Sequence, residues 1–398
     1  MNTIKKLFLI PVLLLILSFS INAQIAVQGE TVYTMEGKAI KDGVILIKNG
    51  KIERVGKASE IRIPSNYELH QAKVVTPGLI DAHSVVGLAG HLNVDGDQDQ
   101  LETSSPIQPE LRAIDAYNAR EALVKHLRDH GITTVHTGHG PGALISGQTM
   151  IIKTSGETVN ENLIDSSKML AFTLGNNLSG AFKKPGTRAK SIAMLRQELI
   201  KAKAYLEKRN SGDNYSKDLG MDALADLLEG KYTAMVTVHK ANDIQSTIRL
   251  QKEFGFPMIL DGVAEAYLVI DEIKDGGYSV FIHPSMIRPR GDAKNASMET
   301  TAKLYEAGIP IAFQSGFEGY VPKTRVVLFE AGIAAANGLG MENALKVLTI
   351  DAAKILGIND KVGSLKKGKD ADLVLFDGDP LEYLTQVTGV IINGEKVK

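Results

Sequence analysis

The chain has 398 residues, with 45 lysines and arginines against 46 aspartates and glutamates, a formal net charge of -1 and no cysteine. That balance excludes strong electrostatic attraction to nucleic acid or an anionic surface, and the missing thiols exclude a disulfide frame, a thiolate metal site and a lipid-modified cysteine anchor. With 44% apolar residues and no short-period repeat, one large core and a small one are possible and a solenoid is excluded.

Lys5 and Lys6 precede an apolar run from Leu7 to Leu17, and Ala23 stands just before Gln24. This reads as a secretory leader over residues 1–23. A membrane span needs about 20 apolar residues, and Pro11, Ser18, Ser20 and Asn22 interrupt this stretch. The expected location is periplasmic or secreted, with no membrane attachment once the leader is removed.

From Ile25 to Leu69 the pattern is β. The segment Gly43 to Gly56 carries Asn49-Gly50 between apolar runs, a strong hairpin signal. The far end answers with Asp372 to Phe376 and with Val390 to Val397, which turns on Asn393-Gly394. The two termini can therefore join in one small sheet domain.

Between them, strands alternate with amphipathic segments, the pattern of βα units around a parallel sheet. The apolar strand Leu79-Ile80 opens the series, followed by a predicted helix from Gln108 to His130 and the strand Ile132 to His136. Further strands are expected at Thr149–Lys153, Met169–Thr173, Ala234–His239, Met258–Leu260, Tyr278–His283 and Ile309–Phe313. Helices are expected at Ser191–Lys208, from Asn242 as N-cap to Gly255, up to Asp275, around Thr300–Ala307 and at Glu342–Leu356. About eight strands in this span fit a (β/α)8 TIM barrel. A doubly wound open sheet is the competing architecture, but Gly138 to Gly147 leads to a strand and not to the helix a phosphate loop requires.

Asp81 and His83 fall on alternate positions of the first barrel strand and so share a face. The motif Pro77-Gly78-Leu79-Ile80-Asp81-Ala82-His83-Ser84 resembles the opening of the amidohydrolase superfamily, in its imidazolonepropionase-like subgroup. Leu348 to Gly357, Val362 to Val374, Ile145 to Thr154, Gly186-Thr187-Arg188 and Ala241 to Ile244 extend the resemblance over the mature chain. It implies a barrel over residues 77–362, beside a composite β-sandwich built from residues 24–76 and 363–398. It also implies a divalent metal, zinc first among candidates, that activates water against a carbon-nitrogen bond.

The family's ligand positions are heavily substituted. His83 matches the first histidine of His-x-His, while Val85 replaces the second. Thr237 stands for the strand 5 ligand, Gly262 for the strand 6 histidine and Gly316 for the strand 8 aspartate, which would also be the general base. Lys153 lies where the subgroup has a lysine able to be carboxylated. A rebuilt site from His83, Lys153, His136 and His239 is one expectation, with His139 and His283 as substrate contacts. The other is that these histidines hydrogen-bond within a barrel mouth that holds no metal. The segment Asn93 to Gln100 carries alternating oxygen ligands but lacks the spacing of a calcium loop, and reads as a solvated acidic loop.

Two functions follow. One is an exported, weakly hydrolytic or non-hydrolytic member of the superfamily with a binding or partner role, pairing with itself or with a metal-competent relative. The other is a metal-dependent hydrolase of a cyclic or linear amide or a dipeptide-like substrate.

Overall fold

The computed structural model describes residues 24–92, 94–175, 178, 180–212, 215–283, 289–316 and 327–398. The expected leader over 1–23 lies outside the described residues. Among those described, no helix is long and apolar enough to cross a membrane.

The β-rich termini combine as their patterns require. Strands β1 (Ile25–Val32), β2 (Ile40–Lys48), β3 (Lys51–Lys57) and β4 (Glu68–Pro77) come from the N-terminal segment. Asn49 and Gly50 both have positive φ, as the tight turn between β2 and β3 demands.

The barrel follows with β5 (Leu79–Ser84), β6 (Ile132–Thr137), β7 (Ile145–Gln148), β8 (Met150–Lys153) and β9 (Leu163–Asp165). It continues with β10 (Met169–Thr173), β11 (Thr233–Val238), β12 (Met258–Gly262), β13 (Ser279–Ile282) and β14 (Ile311–Phe313). The chain then returns to the first sheet as β15 (Leu373–Phe376), β16 (Val387–Ile392) and β17 (Glu395–Lys396).

The terminal strands make one seven-stranded ladder in the order β17-β16-β15-β4-β1-β2-β3. The expected sandwich is thus one continuous sheet that curls until its ends meet. Ile52 donates its N–H to Lys369, Ala371 donates to Gly50, and the Asn-Gly turns at 49–50 and 393–394 touch. Ile25, Ile47, Val75, Leu373 and Ile391 fill the space this encloses.

In the barrel, β10 to β14 pair in parallel, as do β5 and β6, and β14 lies beside β5. The link between these groups differs from a regular βα unit. β7 and β8, separated only by Thr149, descend as one bent stave, with β8 antiparallel to β6 and β7 antiparallel to β10. The connection over residues 138–144 is too short for a parallel crossover, which needs a dozen residues or more, and long enough for an antiparallel return. Eight staves therefore surround the core, the third inverted.

Three expectations for the helices change. The helix foreseen over Gln108–His130 is confined to Ala122–Asp129, because the preceding segment bridges to β7 through Ile107 and Arg112 and Glu121 caps the start. Asn242 lies inside the helix Ala241–Phe254, whose N-cap is Lys240. The helix foreseen over Glu342–Leu356 is two, Met341–Val347 and Ile350–Ile355, broken at Thr349, whose hydroxyl hydrogen-bonds the carbonyl of Leu345.

Candidate functional site

β5 is buried along its whole length, so its polar side chains must find partners inside the protein. Asp81 accepts hydrogen bonds at Oδ1 from the backbone N–H of His83 (3.3 Å) and of Ser315 (3.0 Å), which ties β5 to the end of β14. On the same face, His83 Nδ1 lies 3.1 Å from Asp261 Oδ1 in β12. Asp261 also accepts from the Thr237 hydroxyl of β11 at 2.6 Å and from the side-chain amide of Gln314, just past β14. Four staves thus converge on one carboxylate, at the C-terminal ends of the parallel strands where barrel sites sit.

Burial alone would push the Asp261 carboxyl up. The charge of His83 and the hydrogen bonds from His83 and Thr237 outweigh it and hold the group below the usual carboxylate range. For His83, burial pulls the imidazole down, and the attraction of Asp261 with its hydrogen bond raises it overall. Both directions describe one buried ion pair. Asp81 is different: burial pushes it up to about 6, only partly offset by the Ser315 and His83 donors.

His136 in β6 spends both ring nitrogens locally. Nδ1 lies 2.7 Å from the Ala82 carbonyl, to which it must donate, so Nε2 accepts from the Thr149 hydroxyl at 2.6 Å. Burial, reinforced by the charge of His83, lowers it to about 3, which keeps the ring neutral. It has no free lone pair to offer an ion.

His239 and His283 follow β11 and β13. A Cβ placed on Gly262 would stand 2.6 Å from the His239 ring, and one on Gly316 would stand 2.1 Å from the His283 ring. Both glycines have positive φ. The rings of two neighbouring histidines therefore occupy the space into which ligand side chains at 262 and 316 would project. Burial lowers His239, whose Nδ1 has no hydrogen-bond partner among the described residues. His283 stands 3.7 Å from the fully buried Glu330.

Lys153 corrects an expectation. Because β8 runs downward, Lys153 pairs in register with Thr134 while Met150 pairs with Thr137, so the lysine sits toward the opposite end of the barrel from the mouth. There its ammonium meets Asp370 at 2.7 Å and Asp372 at 3.0 Å, and it also bonds Asn393. A carboxylated lysine would place negative charge against two carboxylates, so Lys153 belongs to the joint between barrel and sheet and not to a metal site.

His139 packs against Gly147 of β7 and shares no hydrogen bond with the His83 group. Its burial lowers it to about 4. Val85 is buried beyond β5, where its carbonyl accepts from Leu88 and Ala89. In the acidic segment, Asp97 is engaged by the Val94 N–H and the Gln98 amide, and Asn93 lies outside the described residues.

Tested for a metal, the expected donor set does not fit: His136 is saturated, Lys153 is remote, rings fill the space above Gly262 and Gly316, and His83 Nε2 and His239 Nδ1, the unengaged nitrogens of the set, are fewer than the three protein ligands a catalytic ion takes. Among the described residues, no group of three or more histidines, cysteines or carboxylates is arranged to hold an ion. The sequence pattern places Asp81 beside His83 on one face of the first strand but does not single out Asp261 or Gln314 as members of the cluster. The available signal was a buried-strand aspartate on each of two staves with no basic residue beside it in sequence.

A second cluster was also missed. Arg188, at the start of the helix Arg188–Ser211, bonds Asp243 at 2.8 Å and Asp292 at 3.2 Å, tying together the first turns of that helix and of Ala241–Phe254 and the short helical turn Gly291–Ala293.

The barrel with its curled terminal sheet and this strand-end site define an amidohydrolase-type scaffold. The amidohydrolase family description matches residues 74–397, and the chain belongs to that family. It is 24% identical over 388 residues to amidohydrolase tasK of Hapsidospora irregularis, covering 88% of this chain but only 39% of that protein. It is 22% identical over 392 residues to the imidazolonepropionase of Streptococcus gordonii, covering 87% of each. The crystal structure of an amidohydrolase from Thermotoga maritima MSB8 superimposes with a TM-score of 0.87 at 30% identity, covering 94% of this chain and 99% of that one. A zinc-bound adenosine deaminase from Xanthomonas campestris shares the fold alone, with a TM-score of 0.56 at 16% identity.

Proposed function

We propose that this chain is an exported member of the amidohydrolase family whose barrel has exchanged metal-dependent hydrolysis for a binding or partner role. The observation that carries this reading is the pair of glycines at 262 and 316. Their positions have no ligand side chain, and the His239 and His283 rings lie where one would extend. A second copy of the chain or a metal-competent relative is the partner this role calls for.

The second reading, a metal-dependent hydrolase acting on a carbon-nitrogen bond, is favoured by the family match over residues 74–397 and by His83 Nε2, which is buried without a partner among the described residues. Elemental analysis of mature protein, purified without chelator from a zinc-supplemented culture, separates the two, with His83→Ala as control. The expected result is no stoichiometric metal in either protein. Stoichiometric metal that disappears in the variant would overturn the proposal and restore the hydrolase.

A further inference from the structure

The helix Val327–Ala334 is apolar on every side. Its one polar residue, Glu330, is fully buried with Val327, Ala331 and Ala334, while Leu328, Phe329, Gly332 and Ile333 make up the outward face. A helix that is hydrophobic all round belongs inside a protein, yet this face is covered only in part, and Phe329 is 44% exposed. Beside it lies a groove of about 510 Å³, lined by Leu328, Phe329 and Ile333 of the helix and by Leu381 and Tyr383 of the segment joining β15 to β16. That segment is braced by its own hydrogen bonds. Thr385 donates its N–H to the Glu382 carbonyl at 3.1 Å, Asp379 accepts from the Leu381 N–H at 2.9 Å, and Asp377 accepts from the Gln386 N–H at 2.8 Å. The turn from Glu382 to Thr385 therefore holds Tyr383 and Leu384 at its two corners, where glycine, proline, asparagine, aspartate or serine is usual. Both are 83% exposed, more than any other large apolar residue among those described.

We propose that this face is the contact between two copies of the chain, in which the Tyr383-Leu384 turn of each copy enters the groove of the other. A twofold contact requires one patch to carry both the projecting part and the recess that receives it, and this patch carries both. Its charges match in the same way. Glu382, on the turn, has no ion pair among the described residues, and Lys398, at the edge of the groove, donates only to the backbone carbonyl of Asp129, at 2.7 Å. Each copy thus brings one carboxylate and one ammonium that the other can neutralise. A lipid surface would instead call for a cluster of basic side chains, whereas here Asp129 and Glu382 accompany Lys398. Because the turn is already braced, docking it costs little ordering entropy. The groove reaches Asp129 and His130, which lead into the start of β6, so it lies away from the mouth at the far ends of the parallel strands. The proposal goes beyond the reading of the mouth and stands whether or not the mouth holds an ion.

Sedimentation velocity of the whole mature protein, from about 0.1 μM to about 100 μM, brackets a micromolar contact. The expected result is a species of twice the single-chain mass at the upper end, dissociating on dilution. Leu384→Glu changes a side chain that stands in solvent, so its circular dichroism should match the parent, and it is expected to weaken association about tenfold or more. Glu382→Lys and Lys398→Glu are each expected to weaken it, and the two together to restore it, because the exchanged charges meet again across the twofold axis.

A parent chain that stays monomeric at about 100 μM overturns the proposal. So does a dimer that Leu384→Glu leaves unchanged, since it forms through another face. Should Leu384→Glu lose its fold, the charge exchange decides, and a double variant that is weaker than either single one overturns the proposal. A monomeric parent chain that floats with vesicles of phosphatidylcholine and phosphatidylglycerol assigns the turn to a lipid surface and overturns it as well. Stoichiometric metal in the same sample refutes only the reading of the mouth and leaves the dimer standing.

Discussion

Replacing Lys153 with methionine removes one charge from the joint between barrel and sheet and keeps nearly the same length and apolar stem. In the parent protein the ammonium is held by Asp370, Asp372 and Asn393, and its side chain is only 3% exposed. Lys51 still pairs with Asp370 in the variant, so that carboxylate keeps a counter-charge. Asp372 is left with the Asn393 backbone N–H at 2.8 Å.

Breaking a buried pair from one side costs about 3–5 kcal/mol, and the surviving Lys51 contact places Lys153→Met near the lower end. Asp372 can evade part of the cost by taking a proton. Burial has already pushed its pKa up, and a folded-state pKa above the unfolded value gives stability that is present in acid and lost as pH rises. The destabilisation should therefore be larger at pH 8 than at pH 5. Urea unfolding followed by circular dichroism measures it, since the chain has no tryptophan to report by fluorescence. A loss below about 1 kcal/mol at pH 8, the value of an exposed pair, would refute the reasoning. So would a carboxyl adduct on Lys153 in the intact mass of the parent protein.

Gly316→Asp, which puts an aspartate at the position where the family resemblance sets a ligand, should destabilise the protein and leave metal content unchanged, because its Cβ would fall 2.1 Å from the His283 ring at a positive φ. Thermal unfolding and elemental analysis check it, and a stable variant that gains zinc would contradict the crowding argument. Asp81→Asn should flatten a pH dependence. Asp81 rises from 3.8 to about 6 on folding, so its contribution is full below pH 4 and is lost as pH climbs through 6, a swing of about 3 kcal/mol at 1.4 kcal/mol per unit. Comparing denaturation midpoints of parent and variant at about pH 4.5 and about pH 7.5, on either side of the folded-state value, reads this directly. Arg188→Ala leaves Asp243 and Asp292 facing each other without their shared cation, and hydrogen exchange should quicken at the start of the helices Arg188–Ser211 and Ala241–Phe254. Unchanged exchange there would mean that the two helix starts do not depend on the arginine.

Where the sequence spoke clearly, the signal was local. The Asn-Gly turns fixed two hairpins because only a few residues tolerate the positive φ they require, and the alternation of Asp81 and His83 put both on one face whatever the rest of the chain did. The family motif carried the barrel and the joining of the termini, since PGLIDAH and the returning block from Val362 mark the passages between sheet and barrel.

What tertiary structure decided was direction and company. Nothing in Thr149–Lys153 reveals that this stave descends, because an apolar run reads the same both ways, yet the inversion alone moves Lys153 from the mouth to the joint with Asp370 and Asp372. The pairing of His83 with Asp261 joins residues 178 positions apart, and the crowding of Gly262 and Gly316 comes from rings on neighbouring staves. Such contacts depend on strand register and barrel closure, which are set by the packing of the whole core and leave no trace in local periodicity.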